Sequence, residues 1–235
     1  MSSQPWEPEF EIIELTPIRR AIGARTQTSF RDLPQFHVTR QLRADALVAA
    51  RAELKAAGAD PLPSLNDYLL KLSALALRDL PILNTWYEDE VIKQLRPVNV
   101  GFACQTDEGL LMPTVFAADR KPLAEIAADT RDLIAAARAG KLRASRQRGA
   151  GFSLTNLGPT GADFFNGLIS PPQTAILAVG ALAERPVAAG GQVLVAPTLY
   201  LTVTLDHRVH DGRNGAAFLA AMAGRLADEE LLRGL

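Results

Sequence analysis

The chain has 235 residues, of which 48% are hydrophobic and 22% are charged, the ordinary composition of a globular domain. Its 25 basic and 26 acidic side chains leave a net charge of -1, which argues against nucleic acid or a membrane as a partner. The sequence has no apolar run near the ~20 residues that span a bilayer, no signal pattern and a single cysteine, Cys104. It therefore predicts a cytoplasmic protein in which Cys104 is a small buried side chain.

The first half of the sequence predicts an arm, three helices and a strand. Residues 1–15 are rich in proline and glutamate and predict an arm or linker remnant, so the folded domain is expected over residues 16–235. Thr16 can cap the first helix, and three residues then follow at helical spacing: Ile18, Ile22 and Arg25. The next predicted elements are a strand over 35–42, an Ala-rich helix that ends at Gly58, and a helix from Ser64 to Pro81.

The second half of the sequence predicts a hairpin, two helices and three longer strands. A tight turn at 107–109 joins two strand-like runs, one helix starts at Pro122, and a final helix is predicted over 211–230. A strand and turn follow over 150–158, and long strands over 173–187 and 191–207 flank two glycines. The last strand places apolar residues on one face: Val193, Val195, Leu199, Leu201, Val203 and Leu205. Because the late strands are linked as hairpins, the order favours an α+β domain with a mixed sheet over a doubly wound fold.

The stretch LTVTLDHRVHDGRNG, residues 201–215, places ionisable side chains at the end of an apolar strand. His207 stands where strand gives way to loop, a common place for catalytic side chains, and its imidazole can accept a proton near neutral pH. A purely structural histidine is an alternative. A metal site from His207, His210 and Asp211 is another, but no cysteine pair or acidic cluster completes it, so we expect no metal. Asp211 can also serve only to fix the loop by pairing with an arginine.

Several segments together resemble one family. DHRVHDG matches an Asp-His-Arg-x-x-Asp-Gly signature, FSLTNLGPTGADFF is similar to a Ser-Asn-Leu-Gly segment, and LISPPQTAILAVG is similar to an Asn-Pro-Pro-Gln strand. ADRKPLAEIA and VNVGFACQTDEGLLMPTV add to the likeness, which runs from about residue 16 to residue 232. The family is the catalytic domain of 2-oxo acid dehydrogenase acyltransferases, the E2 components, whose fold is similar to that of chloramphenicol acetyltransferase.

This resemblance implies acyl transfer between a dihydrolipoyl thiol and coenzyme A. His207 would be the general base that takes the thiol proton, a role that contributes ~10²–10⁴ in rate. Thr155, at the position of the family's serine, would donate a hydrogen bond to the tetrahedral oxyanion, which is worth about 3–4 kcal/mol. Asp211 would hold the loop against an arginine of the N-terminal helix, for which Arg20 is preferred to Arg19.

The resemblance also assigns supporting roles. Asn156 and Gly158 would shape the turn beneath Thr155. Side chains near Phe164, Phe165 and Leu168 would set the size of the acyl pocket. His37 would line the substrate channel or, equally, be a satisfied strand histidine. His210 stands at a variable position of the signature and is expected to be exposed.

The resemblance further implies an assembly. In this family the histidine and the hydroxyl come from different subunits of a trimer, so a homotrimer is expected. The C-terminal ADEELLRGL lacks the family's usual Asp-Pro-Glu run, which leaves a larger cage open. The lipoyl group would be carried on another domain or chain, and E1 and E3 components would be further partners.

Three hypotheses for the function remain from the sequence. The chain is an excised or freestanding E2-type acyltransferase, a freestanding acyltransferase of the same fold that uses another acceptor, or a non-catalytic E2-like scaffold. The intact pair of His207 and Asp211 argues against the scaffold.

Overall fold

A mixed seven-stranded sheet forms the centre of the protein in a computed structural model that describes residues 10–235. Of the predicted arm, residues 1–9 lie outside the described residues, and residues 10–15 belong to no helix or strand. The helices of the described part are α1 (Pro17–Asp32), α2 (Asp45–Ala56), α3 (Leu65–Asp79), α4 (Leu123–Arg138), α5 (Gly212–Ala227) and α6 (Glu229–Gly234). Its strands are β1 (Gln35–Arg43), β2 (Thr85–Glu88), β3 (Val91–Gln94), β4 (Val100–Phe102), β5 (Cys104–Thr106), β6 (Gly109–Leu111), β7 (Thr114–Val115), β8 (Phe152–Asn156), β9 (Ala175–Val179), β10 (Ala183–Ala189) and β11 (Gln192–Asp206).

The sheet combines parallel and antiparallel pairs in the order β1-β11-β9-β8-β4-β7, with β10 also paired to β11. Strand β8 runs parallel to both β4 and β9, whereas β1, β9 and β10 pair antiparallel with β11. Helices α2 and α5 pack on β11, α4 packs on β5 and β7, and α3 contacts both α4 and α5. This arrangement confirms the predicted α+β class with a mixed sheet flanked by helices.

The hydrophobic core lies between the sheet and its helix layer. Helix α3 begins at a capping box between Ser64 and Asp67, and its residues from Asp67 to Leu77 are buried. The facing residues of β11 (Leu199, Leu201, Val203 and Leu205) are fully buried. Burying one such side chain contributes about 1.5–3 kcal/mol, so this layer holds the long central strand in place.

The opposite face of the sheet is polar where β1 meets β11. Thr39 and Thr202 share a hydrogen bond of 2.9 Å between their hydroxyl groups, and Gln41 donates to the hydroxyl of Thr198 at 3.3 Å. Because paired residues on neighbouring strands point to the same face, the register that aligns Thr155 with Ala178 and Ala178 with Thr202 places Thr155 on this polar face.

The structure corrects one strand prediction and limits a second. The predicted strand over 173–187 is two strands, β9 and β10, because the chain turns at Gly180, where a Cβ atom would lie 1.7 Å from the Asp163 carbonyl oxygen. The residues predicted to share one face of the last strand do so, but this face is buried along only part of β11, since Val193 is 77% exposed and Val195 is 70% exposed. They lie on the half of β11 that pairs with β10, and alternation alone does not show what covers a strand.

Other local predictions are confirmed. The tight turn at 107–109 joins β5 to β6, with Thr106 opposite Gly109. Cys104 is buried, and its burial raises the pKa of its thiol. The β2–β3 hairpin and helix α6 were not predicted. No helix within residues 10–235 is both long enough and apolar enough to cross a membrane.

Candidate active site

His207 stands at the end of β11 on a backbone that its neighbours fix. The preceding residue, Asp206, is fully buried, and its carboxylate accepts hydrogen bonds from Nε and Nη2 of Arg208, the shortest at 2.6 Å. The guanidinium of Arg208 lies 4.4 Å from the ring centre of Tyr87, a favourable cation–π distance. The backbone N–H of His207 donates to the carbonyl oxygen of Pro34 at 2.9 Å. The two residues that flank the imidazole are therefore held by contacts with other parts of the fold.

The His207 side chain is exposed. Its ring packs against that of Phe36, with 4.7 Å between ring centres. Neither imidazole nitrogen has a hydrogen-bond partner among residues 10–235. The ring is thus presented outwards, with both nitrogens available to a molecule that binds there.

Asp211 caps the helix that follows. Its carboxylate accepts hydrogen bonds from the N–H groups of Arg213 at 2.9 Å and Asn214 at 3.2 Å, and Asn214 Oδ1 accepts from the Asp211 N–H. These backbone amides, first that of Asn214, lower the pKa of Asp211. The predicted partner, Arg20, instead donates to the carbonyl oxygen of Leu15 at 2.7 Å. Asp211 pairs with Arg213 of its own helix at 3.3 Å, because the N-cap position points the carboxylate at the first turn.

His210 is buried, so the prediction that it is exposed is wrong. It is only 2% exposed, and its Nε2 lies 2.8 Å from the hydroxyl oxygen of Thr174. That hydroxyl lies 2.7 Å from the hydroxyl of Thr85, so the histidine is tied to the interior. Sequence reasoning missed this role because the spacing of His210 from His207 does not reveal which way the loop turns.

Thr155 lines a cavity of about 480 Å³ whose wall is mostly apolar. The cavity lies on the side of the sheet to which the Thr155 side chain points. The Thr155 hydroxyl makes no hydrogen bond to any group of residues 10–235. The three residues predicted to share one face of the first helix all line this cavity: Ile18, Ile22 and Arg25. Two of the three predicted pocket residues, Phe165 and Leu168, also line it, whereas Phe164 is 63% exposed and packs on Tyr200.

The turn after Thr155 is built as its sequence predicted. Asn156 Oδ1 accepts a hydrogen bond from the Gly158 N–H at 2.7 Å, while its amide donates to Asn66 at 2.6 Å. A Cβ atom at Gly158 would lie 2.7 Å from the carbonyl oxygen of Gly180, so the close approach requires glycine. Gly167, which sequence reasoning missed, also allows a close approach. A Cβ atom added at this position would lie 3.1 Å from Thr155 Cγ2.

His37 lies on β1 away from this cavity. Its Nδ1 is 2.9 Å from the hydroxyl oxygen of Thr204 across the strand pair, and it does not line the cavity of Thr155. The structure therefore favours the interpretation that His37 is a structural residue of the strand, whose ring has a hydrogen-bond partner in Thr204. Among residues 10–235, no group of three His, Cys, Asp or Glu side chains is arranged to hold a metal ion.

Within one chain, Thr155 and His207 are far apart. Thr155 is level with Thr202 across two strand pairings, and His207 is five residues further along the chain. With strands about 4.8 Å apart and a rise of ~3.3 Å per residue, the two positions are separated by roughly 19 Å. One chain therefore holds the hydroxyl and the imidazole in two separate places.

Comparisons with known proteins identify the family of the chain. A family model for the catalytic domain of 2-oxoacid dehydrogenases acyltransferase matches residues 7–233. The acetyltransferase component of the pyruvate dehydrogenase complex of Zymomonas mobilis is 34% identical over 211 residues, covering 89% of this chain and 48% of the relative. That of Bacillus subtilis is 34% identical over 233 residues, covering 96% of this chain and 53% of the relative. The chain thus spans about half the length of these relatives.

Solved structures show the same fold. The dihydrolipoamide acetyltransferase of Azotobacter vinelandii, in which a serine, a histidine and an asparagine were investigated for their role in the catalytic mechanism, superimposes with a TM-score of 0.91. It is 28% identical, and the match covers 97% of this chain and 99% of that one. Chloramphenicol acetyltransferase, at 14% identity and a TM-score of 0.52 over 92% of this chain and 99% of that one, shares the fold. Both the predicted fold and the predicted family are confirmed, and the chain belongs to the family of 2-oxo acid dehydrogenase acyltransferase catalytic domains.

Proposed function

We propose that this chain catalyses transfer of an acyl group between the thiol of dihydrolipoamide and coenzyme A, with residues 16–235 as the catalytic domain. The observation that carries the proposal is the hydroxyl of Thr155, which has no hydrogen-bond partner among residues 10–235 and lines an apolar cavity. An apolar wall strengthens a hydrogen bond to a developing negative charge, because little water competes for it. The named relatives, which are acetyltransferase components of pyruvate dehydrogenase complexes, support this reaction class.

In the proposed reaction, His207 accepts the proton of the attacking thiol. A free thiol with a pKa near 8.5 is mostly protonated at neutral pH, so a positioned base is needed to form the thiolate. The thiolate then adds to the thioester carbonyl carbon, and Thr155 donates a hydrogen bond to the oxyanion that results. When the intermediate collapses, the carbon–sulfur bond to the other thiol breaks, and the imidazolium returns its proton to that leaving sulfur.

We also propose that a second copy of the chain completes the site. A distance of roughly 19 Å, from the strand spacing and rise, is too long for His207 and Thr155 of one chain to act on one thioester. A ring of three copies would place the histidine of one subunit beside the hydroxyl of the next. The solved cubic core of the pyruvate dehydrogenase multienzyme complex, with a TM-score of 0.91 to this chain, supports self-assembly. A lipoyl-bearing domain and E1 and E3 components would be the other partners.

The proposal is tested by steady-state transfer from a panel of acyl-CoA thioesters to dihydrolipoamide. Changing His207 to alanine is expected to lower kcat by at least ~10², the contribution of a positioned base, with an unchanged melting temperature and oligomeric state. Turnover only with a different amine, alcohol or thiol would contradict the proposal and favour another acceptor. An intact oligomer without turnover on any acceptor would favour a scaffold.

A further inference from the structure

One side of the cavity that Thr155 lines is a segment without regular secondary structure. Residues 165–170 form this wall of the cavity, and they belong to no helix or strand. Within residues 10–235, the backbone of residues 164–169 makes hydrogen bonds only at Ile169. Segments with few hydrogen bonds open at low cost in free energy, so the contacts of Ile169 decide how firmly the wall is held.

Two side chains bind both main-chain groups of Ile169. Its N–H donates to Oε1 of Gln35 at 3.1 Å, and its carbonyl oxygen accepts from the Ser29 hydroxyl at 2.5 Å. The Nε2 of Gln35 donates to the Ser29 carbonyl oxygen at 2.8 Å and to the Ser29 hydroxyl oxygen at 3.2 Å. Ser29 and Ile169 are each only 1% exposed, so little water competes for these bonds. The Ser29–Gln35 pair therefore binds the wall as a neighbouring strand would.

The Ser29–Gln35 pair belongs to regular elements of the fold. Gln35 is the first residue of β1 and lies opposite Asp206 of β11, while Ser29 lies near the end of α1. Neither residue lines the cavity. Any effect of Gln35 on a molecule bound in the cavity must therefore act through the wall.

The wall in turn contacts Thr155. A Cβ atom added at Gly167, two residues before Ile169, would lie 3.1 Å from Thr155 Cγ2 and 3.4 Å from Ile176 Cγ2. Ile169 and Ile176 also form a small buried cluster with Leu33. Because the methyl and hydroxyl groups of a threonine share one carbon and rotate together, the place of the wall beside the methyl limits where the hydroxyl can point.

We propose that Gln35 is a positioning residue for acyl transfer: it holds the wall at Ile169, and the wall fixes the direction of the Thr155 hydroxyl. This inference rests on the proposed function, in which that hydroxyl donates to the oxyanion. An oxyanion donor is effective only when it is aimed at the place where the charge develops. A wall that shifts would therefore weaken the hydrogen bond without removing the hydroxyl.

A double-mutant cycle between Gln35 and Thr155 tests this role. Gln35→Met keeps the length of the side chain and removes its amide, and we expect kcat with the acyl-CoA that the wild type transfers fastest to fall ~10-fold, part of the ~10²–10³ that loss of an oxyanion donor costs. In Thr155→Val the hydroxyl is already absent, so the same change at residue 35 is expected to lower kcat by less than ~2-fold. A purely structural role would give equal factors in both backgrounds, because independent effects multiply.

Two further variants complete the cycle. Ser29→Ala removes the hydroxyl that binds the Ile169 carbonyl oxygen. It is expected to show the same dependence on Thr155, and it carries the test if Gln35→Met does not fold. Gln41→Met is the matched control, because Gln41 lies six residues along β1 on the same face, donates to the Thr198 hydroxyl at 3.3 Å and does not line the cavity. Its kcat is expected to equal that of the wild type.

Amide hydrogen exchange measures the hold on the wall without reference to the reaction. We expect the Ile169 N–H to exchange at least ~10-fold faster in Gln35→Met than in the wild type, because its acceptor is lost and the wall opens more often. Gln41→Met should leave this exchange rate unchanged.

The outcomes separate this inference from the proposed function. An unchanged kcat in Gln35→Met, or an equal fall with and without Thr155→Val, would overturn the inference and leave acyl transfer standing. Absence of transfer by the wild type from every thioester would reject the proposed function and the catalytic part of the inference. Unchanged exchange at Ile169 in Gln35→Met would overturn the hold on the wall itself.

Discussion

At the scale of single residues, the Thr155 hydroxyl is the group whose removal is most informative. A β-branched side chain has restricted rotation about its first side-chain torsion, and Thr155 Cγ2 lies close to the position that a Cβ of Gly167 would occupy, 3.1 Å away. The methyl group is therefore packed on one side, which helps to fix where the hydroxyl can point. A threonine in this setting gives up rotational freedom that a serine would keep.

We expect Thr155→Val, which keeps the branched shape and removes the donor, to lower kcat by ~10²–10³, as loss of an oxyanion donor does elsewhere. Thr155→Ser keeps the donor and is expected to retain most of the wild-type rate. The measurement is kcat for transfer from a saturating acyl-CoA to dihydrolipoamide. A valine variant that turns over at the serine variant's rate would show that the hydroxyl does not stabilise the oxyanion.

At the scale of elements, the loop between β11 and α5 combines two anchors around His207. Asp206 and Arg208 fix the strand end, and His210 ties the loop to Thr174 in the interior. Burial lowers the pKa of His210 to about 4, against the smaller opposing effect of the Asp206 and Asp211 carboxylates. The two arginines near this loop, Arg208 and Arg213, are already paired with Asp206 and Asp211. A proton on His210 would therefore place a poorly solvated cation beneath the loop.

This burial predicts an acid-sensitive fold. The unfolded chain binds the His210 proton near pH 6.5 and the folded chain near 4, so stability is retained above pH 6.5 and falls as the pH drops towards 4. From pH 7 to pH 5 the loss from this one group is about 2 kcal/mol. Urea unfolding of the wild type and His210→Gln at both pH values measures it. The variant should lose about 2 kcal/mol less than the wild type over this interval, and equal losses in both proteins would contradict the role given to His210.

Particular elements show how far sequence reasoning reaches. The face of α1 with Ile18, Ile22 and Arg25 and the turn at Asn156 and Gly158 were predicted, because helical spacing and turn chemistry are local properties. The break at Gly180 was missed, because it depends on the Asp163 carbonyl oxygen from a distant loop.

The two histidines of the signature show the same limit at the candidate site. His207 was placed correctly at the end of its strand, because the strand could be followed residue by residue to Asp206. The burial of His210 depends on Thr174 and Thr85, which are 36 and 125 positions away in the sequence. Neither partner leaves a signal in the motif itself.

At the scale of the whole molecule, the sheet register separates the two proposed catalytic groups of one chain. Strand β11 carries His207 away from the level of Thr155, and no side-chain motion spans roughly 19 Å, the separation set by strand spacing and rise. The exposed Val193 and Val195 on the outer half of β11 add an apolar surface of the same strand that the described residues leave uncovered. The long separation of the two side chains and the uncovered apolar surface are both expected of a protein in which one chain alone does not form the complete site.

If adjacent subunits share each site, two inactive variants should restore activity together. Thr155→Val and His207→Ala are co-expressed with different affinity tags, and oligomers that contain both are isolated by two successive columns. In a three-fold ring, every mixed trimer pairs one intact His207 with one intact Thr155, so about one third of wild-type activity is expected. Each variant purified alone, and a mixture of the two without subunit exchange, serves as the inactive control. Mixed trimers that remain as inactive as the single variants would show that the imidazole and the hydroxyl do not act across a subunit boundary.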